Sequence, residues 1–427
     1  MRLDADSKAE MMEPHALDFP KIDAVLRADG TGEVTIDGTS HPLQADDELA
    51  ALREALNLIS GTAVRLGRPV KVTTRDGDGQ SLVVVSPDGT FTEVPAPAAT
   101  GVGPQGPPRE PGRPPAGSAR PHPSRTSFLP QEQAEEPATQ GWRGILTRSG
   151  FRMPPSAAER AERADVQAVS QHWPGPRTIA VVNGKGGASK TPSTILLAAV
   201  FAREGGAGVL AWDNNQTRGT LGWRTEQGPH EATVLDLLPQ VEPLLGIAAQ
   251  SADLARFVHH QTRDRFDVLR SKPMALAHEQ RVEPNDVDVI HAVAAKYYRL
   301  ILMDSGNDES DPMWLRMIDR TDQLVVATTT RDDHAEAGAL LLEALAERDE
   351  HSASLAQQAI AIVSQADPRA TADQVRRIAD GYRELAREVV TIPHDPAMVG
   401  GPLRYGSLRP ATQRAWLAAA AAVARGL

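Results

Sequence analysis

The chain has 427 residues, 41% hydrophobic and 24% charged, with a net charge of -11 and no cysteine. That length is too great for one ordinary core and predicts two globular regions, and 33 prolines exceed what helices and sheets can place, so part of the chain is linker. Missing cysteine excludes disulfides, thiolate catalysis and cysteine-ligated zinc; the acidic balance argues against binding nucleic acid over the whole surface; the lack of a long apolar run or a signal-like start predicts a cytoplasmic protein.

Residues 18–95 read as a small acidic α+β domain. Strand-like EVTI precedes a turn at Asp37-Gly38, and an amphipathic helix is expected from Asp46 to Ile59. The segment after it, RPVKVTTRDGDGQSLVVVSPDGTFTEV, alternates β-branched runs with the turn signals Asp76-Gly77-Asp78-Gly79 and Pro87-Asp88-Gly89, as hairpins do. Residues 1–95 carry 9 basic and 17 acidic side chains, a net charge of -8, which disfavours DNA. Docking to a protein partner is the preferred role, and a solubilising or regulatory domain is the alternative.

Residues 96–140 are rich in proline and glycine, a composition that cannot bury enough apolar surface to order itself. A plain spacer is the first reading and a proline-motif ligand the second. In the lead-in, residues 141–175, Trp142, Ile145, Leu146 and Phe151 alternate with Arg143, Arg148 and Arg152. Such a segment packs on the following domain or lies on an anionic surface. A charged, solvent-facing helix is expected from Ser156 to Ser170.

From residue 176 onward the pattern changes. RTIAVVNGKGGASKTPSTILLAAVFAREGGAGVLAWD reads as apolar strand (Thr178 to Val182), glycine turn, helix from Lys190, glycine stop and second strand. This is the setting of a phosphate-binding loop. Glycines let backbone N–H groups close on an anion, and the helix points its positive end at it. The loop residues Gly184, Lys185, Gly186, Gly187, Ala188, Ser189, Lys190, Thr191 and Pro192 are therefore candidates for nucleotide binding. Lys190 would reach the β- and γ-phosphates, the Thr191 hydroxyl would hold magnesium, and Pro192 is tolerated in the first helical turn.

NGKGGASKT resembles the deviant Walker A motif of the ParA/MinD family of ATPases, whose mark is an additional early lysine, here Lys185. The resemblance spans Thr178 to the C-terminus and implies a doubly wound, mostly parallel α/β P-loop domain that uses ATP and Mg2+. It also implies a homodimer formed on ATP binding, in which Lys185 contacts phosphates held by the partner subunit. Ser189 departs from the pattern, standing where a glycine is usual. VLAWDNNQTRGTL resembles the family's switch I, making Asp213 the acidic residue near magnesium and the attacking water. Asn215 stands where many relatives have a second aspartate, and an amide cannot act as a base. RLILMDSGND then places Asp304 where a Walker B aspartate belongs, with Gly306 in the adjoining turn. The resemblance thus assigns Lys185 and Asp213 to catalysis, and Thr191, Asp213 and Asp304 to magnesium, the aspartates through water. AIAIVSQADP and EVVTIPHDPAM supply loops that surround adenine in relatives, at Ser364, Gln365, Pro393 and Asp395.

Beyond Asp395 the chain has no acidic side chain and four arginines, Arg404, Arg409, Arg414 and Arg425. Relatives use such tails for non-specific DNA or membrane contact, but ATQRAWLAAAAAVARGL has few bulky apolar residues, so packing on the domain surface is preferred. His259, His260 and the other histidines lack ligand spacing and read as surface residues. The expected function is an ATP-dependent dimerising switch in DNA partition or cargo positioning, with slow or partner-stimulated hydrolysis. The alternatives are an ATP-binding scaffold or secretion factor, and an ATP-dependent metabolic ligase of the cobyric-acid or dethiobiotin type.

Overall fold

The computed structural model describes residues 17–27, 30–45, 48–76, 79–87, 91–94, 135–148, 153–206, 208–215, 219–272 and 282–427. The proline-rich linker up to residue 134, Phe151, Arg152 and the side chains of Trp142, Ile145, Leu146 and Arg148 lie outside the described residues, as do the readings placed on them. The chain divides into two compact units, Met1–Arg160 and Ala161–Leu427.

In the first unit, strands β1 (Leu17–Leu26), β2 (Thr31–Ile36) and β3 (Thr39–Gln44) precede helix α1 (Glu48–Leu66). Strands β4 (Val70–Asp76), β5 (Gly79–Val85) and β6 (Phe91–Val94) follow. They form one sheet in the order β3-β2-β1-β4-β5-β6. Only the central β1–β4 pair is parallel, so the helix between them is the crossover that a parallel pair requires. Ile22, Ala24, Val34, Val70 and Val72 share a core with Leu52, Ala55, Ile59 and Ala63 of α1. That stripe explains why α1 runs past the expected end at Ile59: Ala63 continues the apolar face one turn on, and Gly67 at φ 60° provides the stop.

Helices α2 (Gly141–Arg148) and α3 (Ala157–Val169) come next. The expectation that α3 faces solvent fails at two positions. Glu159 is buried and accepts hydrogen bonds from the Thr139 amide and hydroxyl, both 2.8 Å, and Val169 is fully buried.

The second unit opens with β7 (Arg177–Val182), α4 (Lys190–Gly205) and β8 (Val209–Asn214). Short helices α5 (Val234–Leu237), α6 (Val241–Leu245) and α7 (Ser251–Leu254) lead to edge strands β9 (His259–His260) and β10 (Asp267–Leu269). The remaining elements are α8 (Pro284–Tyr297), β11 (Leu300–Ser305), α9 (Pro312–Asp319), β12 (Gln323–Thr329), α10 (Asp332–Arg348), α11 (Glu350–Gln357), β13 (Ile360–Ser364), α12 (Ala372–Tyr382), β14 (Glu388–Ile392) and α13 (Pro410–Ala424).

The sheet order is β14-β13-β12-β7-β11-β8-β10-β9, parallel throughout except for the β10–β9 pair. It is the expected doubly wound α/β sheet. Strand alternation makes its two faces: Ile179, Val181, Leu300, Leu302, Ile360 and Ile362 turn toward α4 and α13, whereas Ala180, Val182, Ile301, Met303, Ala361 and Val363 turn toward the layer of α8 to α12. With both faces covered, the strands read as continuous apolar runs, which is why they were visible in the sequence.

The C-terminal helix is a core element. Trp416, Leu417 and Ala419 to Ala424 of α13 are buried, and its small side chains let it lie close against α4 and β14. The arginines of this C-terminal segment are largely matched in charge: Arg414 pairs with Asp165 at 2.7 Å, Arg425 with Glu388 at 2.7 Å, and Arg404 with Glu226 at 3.2 Å. No described helix is long and apolar enough to cross a membrane. His259, read as a surface residue, is buried; its Nδ1 accepts from the Gly228 amide at 3.0 Å and its Nε2 donates to the Ala232 carbonyl at 2.9 Å. The edge strand that buries it is too short to show in a sequence pattern.

Candidate functional site

Parallel strands all present their carboxyl ends to one side, and in doubly wound sheets that edge is where ligands sit. Here β7 delivers Asn183, fully buried, to that edge. Its amide nitrogen donates to the carbonyls of Ala327 (2.8 Å) and His334 (3.0 Å), and its amide oxygen accepts from the Lys185 amide at 2.9 Å. One side chain therefore ties the start of the glycine loop to β12 and α10. Gly187 takes φ 82° and Ser189 φ 68° with ψ 21°, both left-handed, so the loop turns sharply twice before α4 begins. The pattern's usual glycine is thus a conformational requirement that Ser189 meets with a side chain.

Lys190 is buried beneath this loop. Its ammonium donates to the carbonyls of Asn183 (2.8 Å) and Lys185 (3.0 Å) and to Asn307 Oδ1 (2.6 Å). Burial lowers its pKa to about 8 against the pull of the Asp304 and Glu309 carboxylates. Glu309 stands over Gly184, where a Cβ would meet its carboxylate at 2.4 Å. Lys185 differs in kind: it is exposed, and its side chain does not line the cavity described below.

Two strands and helix α4 converge on a pair of aspartates behind the loop. The Thr191 hydroxyl donates to Asp304 Oδ2 at 2.6 Å and meets the Thr220 hydroxyl at 2.8 Å. Asp213, paired in register with Asp304 across β8 and β11, accepts from the Ser271 hydroxyl at 3.0 Å. A Cβ at Gly219 would overlap both the Asp213 carboxylate and the Ser271 hydroxyl, so this glycine is needed for close approach. Burial raises Asp304 to about 6, and raises Asp213 well above the usual carboxylate range, the charge of Asp304 adding to it. Oδ1 of each aspartate is buried with no hydrogen-bond partner. Two orphaned carboxylate oxygens beside a threonine hydroxyl suit a hard divalent cation, which would relieve their repulsion and retain waters for its other positions.

A cavity of about 540 Å³ runs from the loop to the far sheet edge, within the range of small-molecule sites. Gly186 to Pro192 form one end, and Ser364, Gln365, Pro393 and Asp395 line the other. Gly184, Lys185, Asp213 and Asp304 lie outside its lining. The Asp395 carboxylate is engaged in the fold, accepting from the amides of Ala397 (3.0 Å) and Arg409 (2.8 Å), and Gln365 Nε2 donates to the Ala370 carbonyl at 2.9 Å. At these two positions the side chain shapes the loop, leaving backbone and Ser364 toward the cavity. Asn215 also lines it.

Sequence reasoning passed over Asn183, Thr220, Trp223, Arg224, Ser271, Asn307 and Glu309. Asn307 lay in the quoted DSGND segment and Thr220 in the Gly-Thr-Leu run, so a signal existed for these. Ser271 and Trp223 are brought in by tertiary structure alone.

No family model matches the chain, and no curated protein does. Among solved structures, a ParA family ATPase from Chlorobium tepidum TLS is 20% identical, covering 58% of this chain and 98% of that one, with a TM-score of 0.47. The septum site-determining protein MinD of Pyrococcus horikoshii OT3, complexed with Mg-ADP, is 19% identical over 57% of this chain and 94% of that one, with a TM-score of 0.42. Cobyrinic acid a,c-diamide synthase from Mycobacterium smegmatis, with bound ADP and magnesium, is 17% identical over 57% and 91%, with a TM-score of 0.38.

Proposed function

We propose that the second unit is a Mg2+- and ATP-dependent switch ATPase of the ParA/MinD kind, in which nucleotide closes a homodimer. The observation that carries this is the opposite placement of the two loop lysines: Lys190 buried under the loop with its ammonium at the phosphate end, Lys185 exposed and outside the cavity. A lysine needed only for binding within one chain would be expected in the lining of that chain's own cavity. One placed to reach phosphates across an interface would not.

In this reading Thr191, Asp304 and Asp213 hold the magnesium ion, directly or through water, and the ion when bound neutralises charge on the phosphates. The loop amides and Lys190 bind and orient the phosphates, exchanging the contacts Lys190 makes with Asn307 and the loop carbonyls for phosphate oxygens. Asn215, at the cavity wall, can hydrogen-bond a water but cannot take its proton, which supports slow or partner-stimulated turnover. The same residue favours a second reading, a scaffold that uses ATP for assembly with little hydrolysis. The acidic first unit would then dock the protein cargo to be positioned or partitioned. The paired arginines of the tail give little support to DNA or membrane contact there.

The test is the mass in solution of wild type, Lys185→Ala and Lys190→Ala with Mg-ATP, with ADP and without nucleotide. An ATP-dependent dimer is expected for wild type. Lys190→Ala should lose nucleotide, and Lys185→Ala should keep nucleotide but lose the dimer. A monomer under every condition would overturn both readings, and ATP turnover measured alongside separates switch from scaffold.

A further inference from the structure

A short segment between β8 and α5 carries an unusual side chain. Trp223 is 61% exposed, although indole is among the costliest surfaces to leave in water, and it stands on the wall of the cavity. Its neighbour Leu221 is fully buried, so the segment is anchored in the core and Trp223 is held outward.

Two tethers hold it there. On the loop side the Thr220 hydroxyl meets that of Thr191 at 2.8 Å. On the other side Arg224 donates through Nη2 to the Met398 carbonyl and through Nε to the Gly401 carbonyl, both 2.8 Å, while its own carbonyl accepts from the Leu403 amide at 2.8 Å. These bonds set the Trp223 segment against the turn after β14, where Val399 lines the same cavity and is 68% exposed. Across this end, Ser364 is 98% buried and its buried hydroxyl has no hydrogen-bond partner. Exposed flat apolar surface beside an orphaned polar atom describes the complement of a heteroaromatic ring with a hydrogen-bonding edge.

We infer that Trp223 is the aromatic wall of the nucleobase end of this cavity, that Ser364 addresses the edge of the base, and that Arg224 is the positioning residue that holds Trp223 in place. This rests on the nucleotide reading above. The discriminating ligand is inorganic tripolyphosphate, which keeps the phosphate contacts and lacks a base.

Calorimetric titration with Mg2+ is run for ATP and tripolyphosphate on wild type, Trp223→Ala, Trp223→Phe, Arg224→Ala and Lys190→Ala. Loss of base–aromatic stacking should weaken ATP binding to Trp223→Ala about tenfold and leave tripolyphosphate binding unchanged, with Trp223→Phe retaining most of the ATP affinity. Arg224→Ala should follow Trp223→Ala. Wild type should also show an ATP-induced change in tryptophan emission that Trp223→Phe lacks. Equal losses for both ligands, or undiminished ATP binding by Trp223→Ala, would overturn the assignment. If Lys190→Ala loses both ligands while Trp223→Ala keeps ATP, the assignment alone fails; if wild type binds neither, the nucleotide reading falls and this inference with it.

Discussion

Ser189 offers the sharpest test of the loop geometry. It sits at φ 68°, ψ 21°, makes no side-chain capping bond, and is followed by the first turn of α4. A left-handed residue other than glycine costs about 1–2 kcal/mol, while glycine loses about 0.4–1 kcal/mol more chain entropy on folding. At the middle of both ranges the balance for Ser189→Gly is a gain of about 0.8 kcal/mol. Ser189→Ala keeps the strain and loses no capping bond, so it should be neutral. Ser189→Val adds β-branching to a conformation that tolerates it least and should lose more than ~1 kcal/mol. For a unit of this size the glycine variant should melt about 1–3 °C above the alanine variant. Thermal unfolding without nucleotide, followed by near-ultraviolet circular dichroism, measures this. A glycine variant that melts at or below the alanine variant would show that the loop is not held in the left-handed region, and the account of the site would lose its geometric basis.

Two further outcomes follow from the buried titratable groups. His259 is satisfied only as the neutral Nε2–H tautomer, and burial, with the nearby Arg270 and His230 charges, holds its pKa below the ordinary value against the pull of the Ala232 carbonyl. Its stabilising effect should thus be complete above about pH 6.5 and decline as pH falls below it; melting temperature scanned from pH 7.5 to 5.5 should fall for wild type and less steeply for His259→Gln, and parallel profiles would refute this. Asp304→Asn removes one of two repelling buried carboxylates, so without magnesium it should melt at or above wild type. It should also lose the extra stabilisation that Mg2+ adds to ATP in a thermal-shift assay, and an unchanged Mg2+ increment would dissociate Asp304 from the metal.

Much of the second unit was legible in the sequence because it is a parallel sheet covered on both faces. Runs such as Leu300 to Met303 must be apolar at every position, and each ends in the polar residue that the sheet edge displays. Helix α1 was legible in kind and short in extent, because the stripe ending at Ala63 is one small residue past the last bulky one. The long stretch from Thr220 to Leu269 carries no periodicity from which its elements could be read. Its helices of four or five residues and its two- and three-residue strands are set by contacts with α8 and β8 rather than by local periodicity.

The sequence by itself determined the loop, since glycines, two lysines and a threonine at these spacings after an apolar strand are a local pattern, and local backbone chemistry is what a phosphate group reads. It also marked Asp213 and Asp304 as strand-end acids. Only the tertiary structure decided that these two carboxylates share one buried space, that Lys185 is exposed and outside the cavity lining while Lys190 is buried and part of it, and that Trp223 and Ser364, 141 positions apart in the numbering, line the same cavity. Such pairings depend on strand order, and strand order is settled by packing across the whole sheet, which no window of sequence contains.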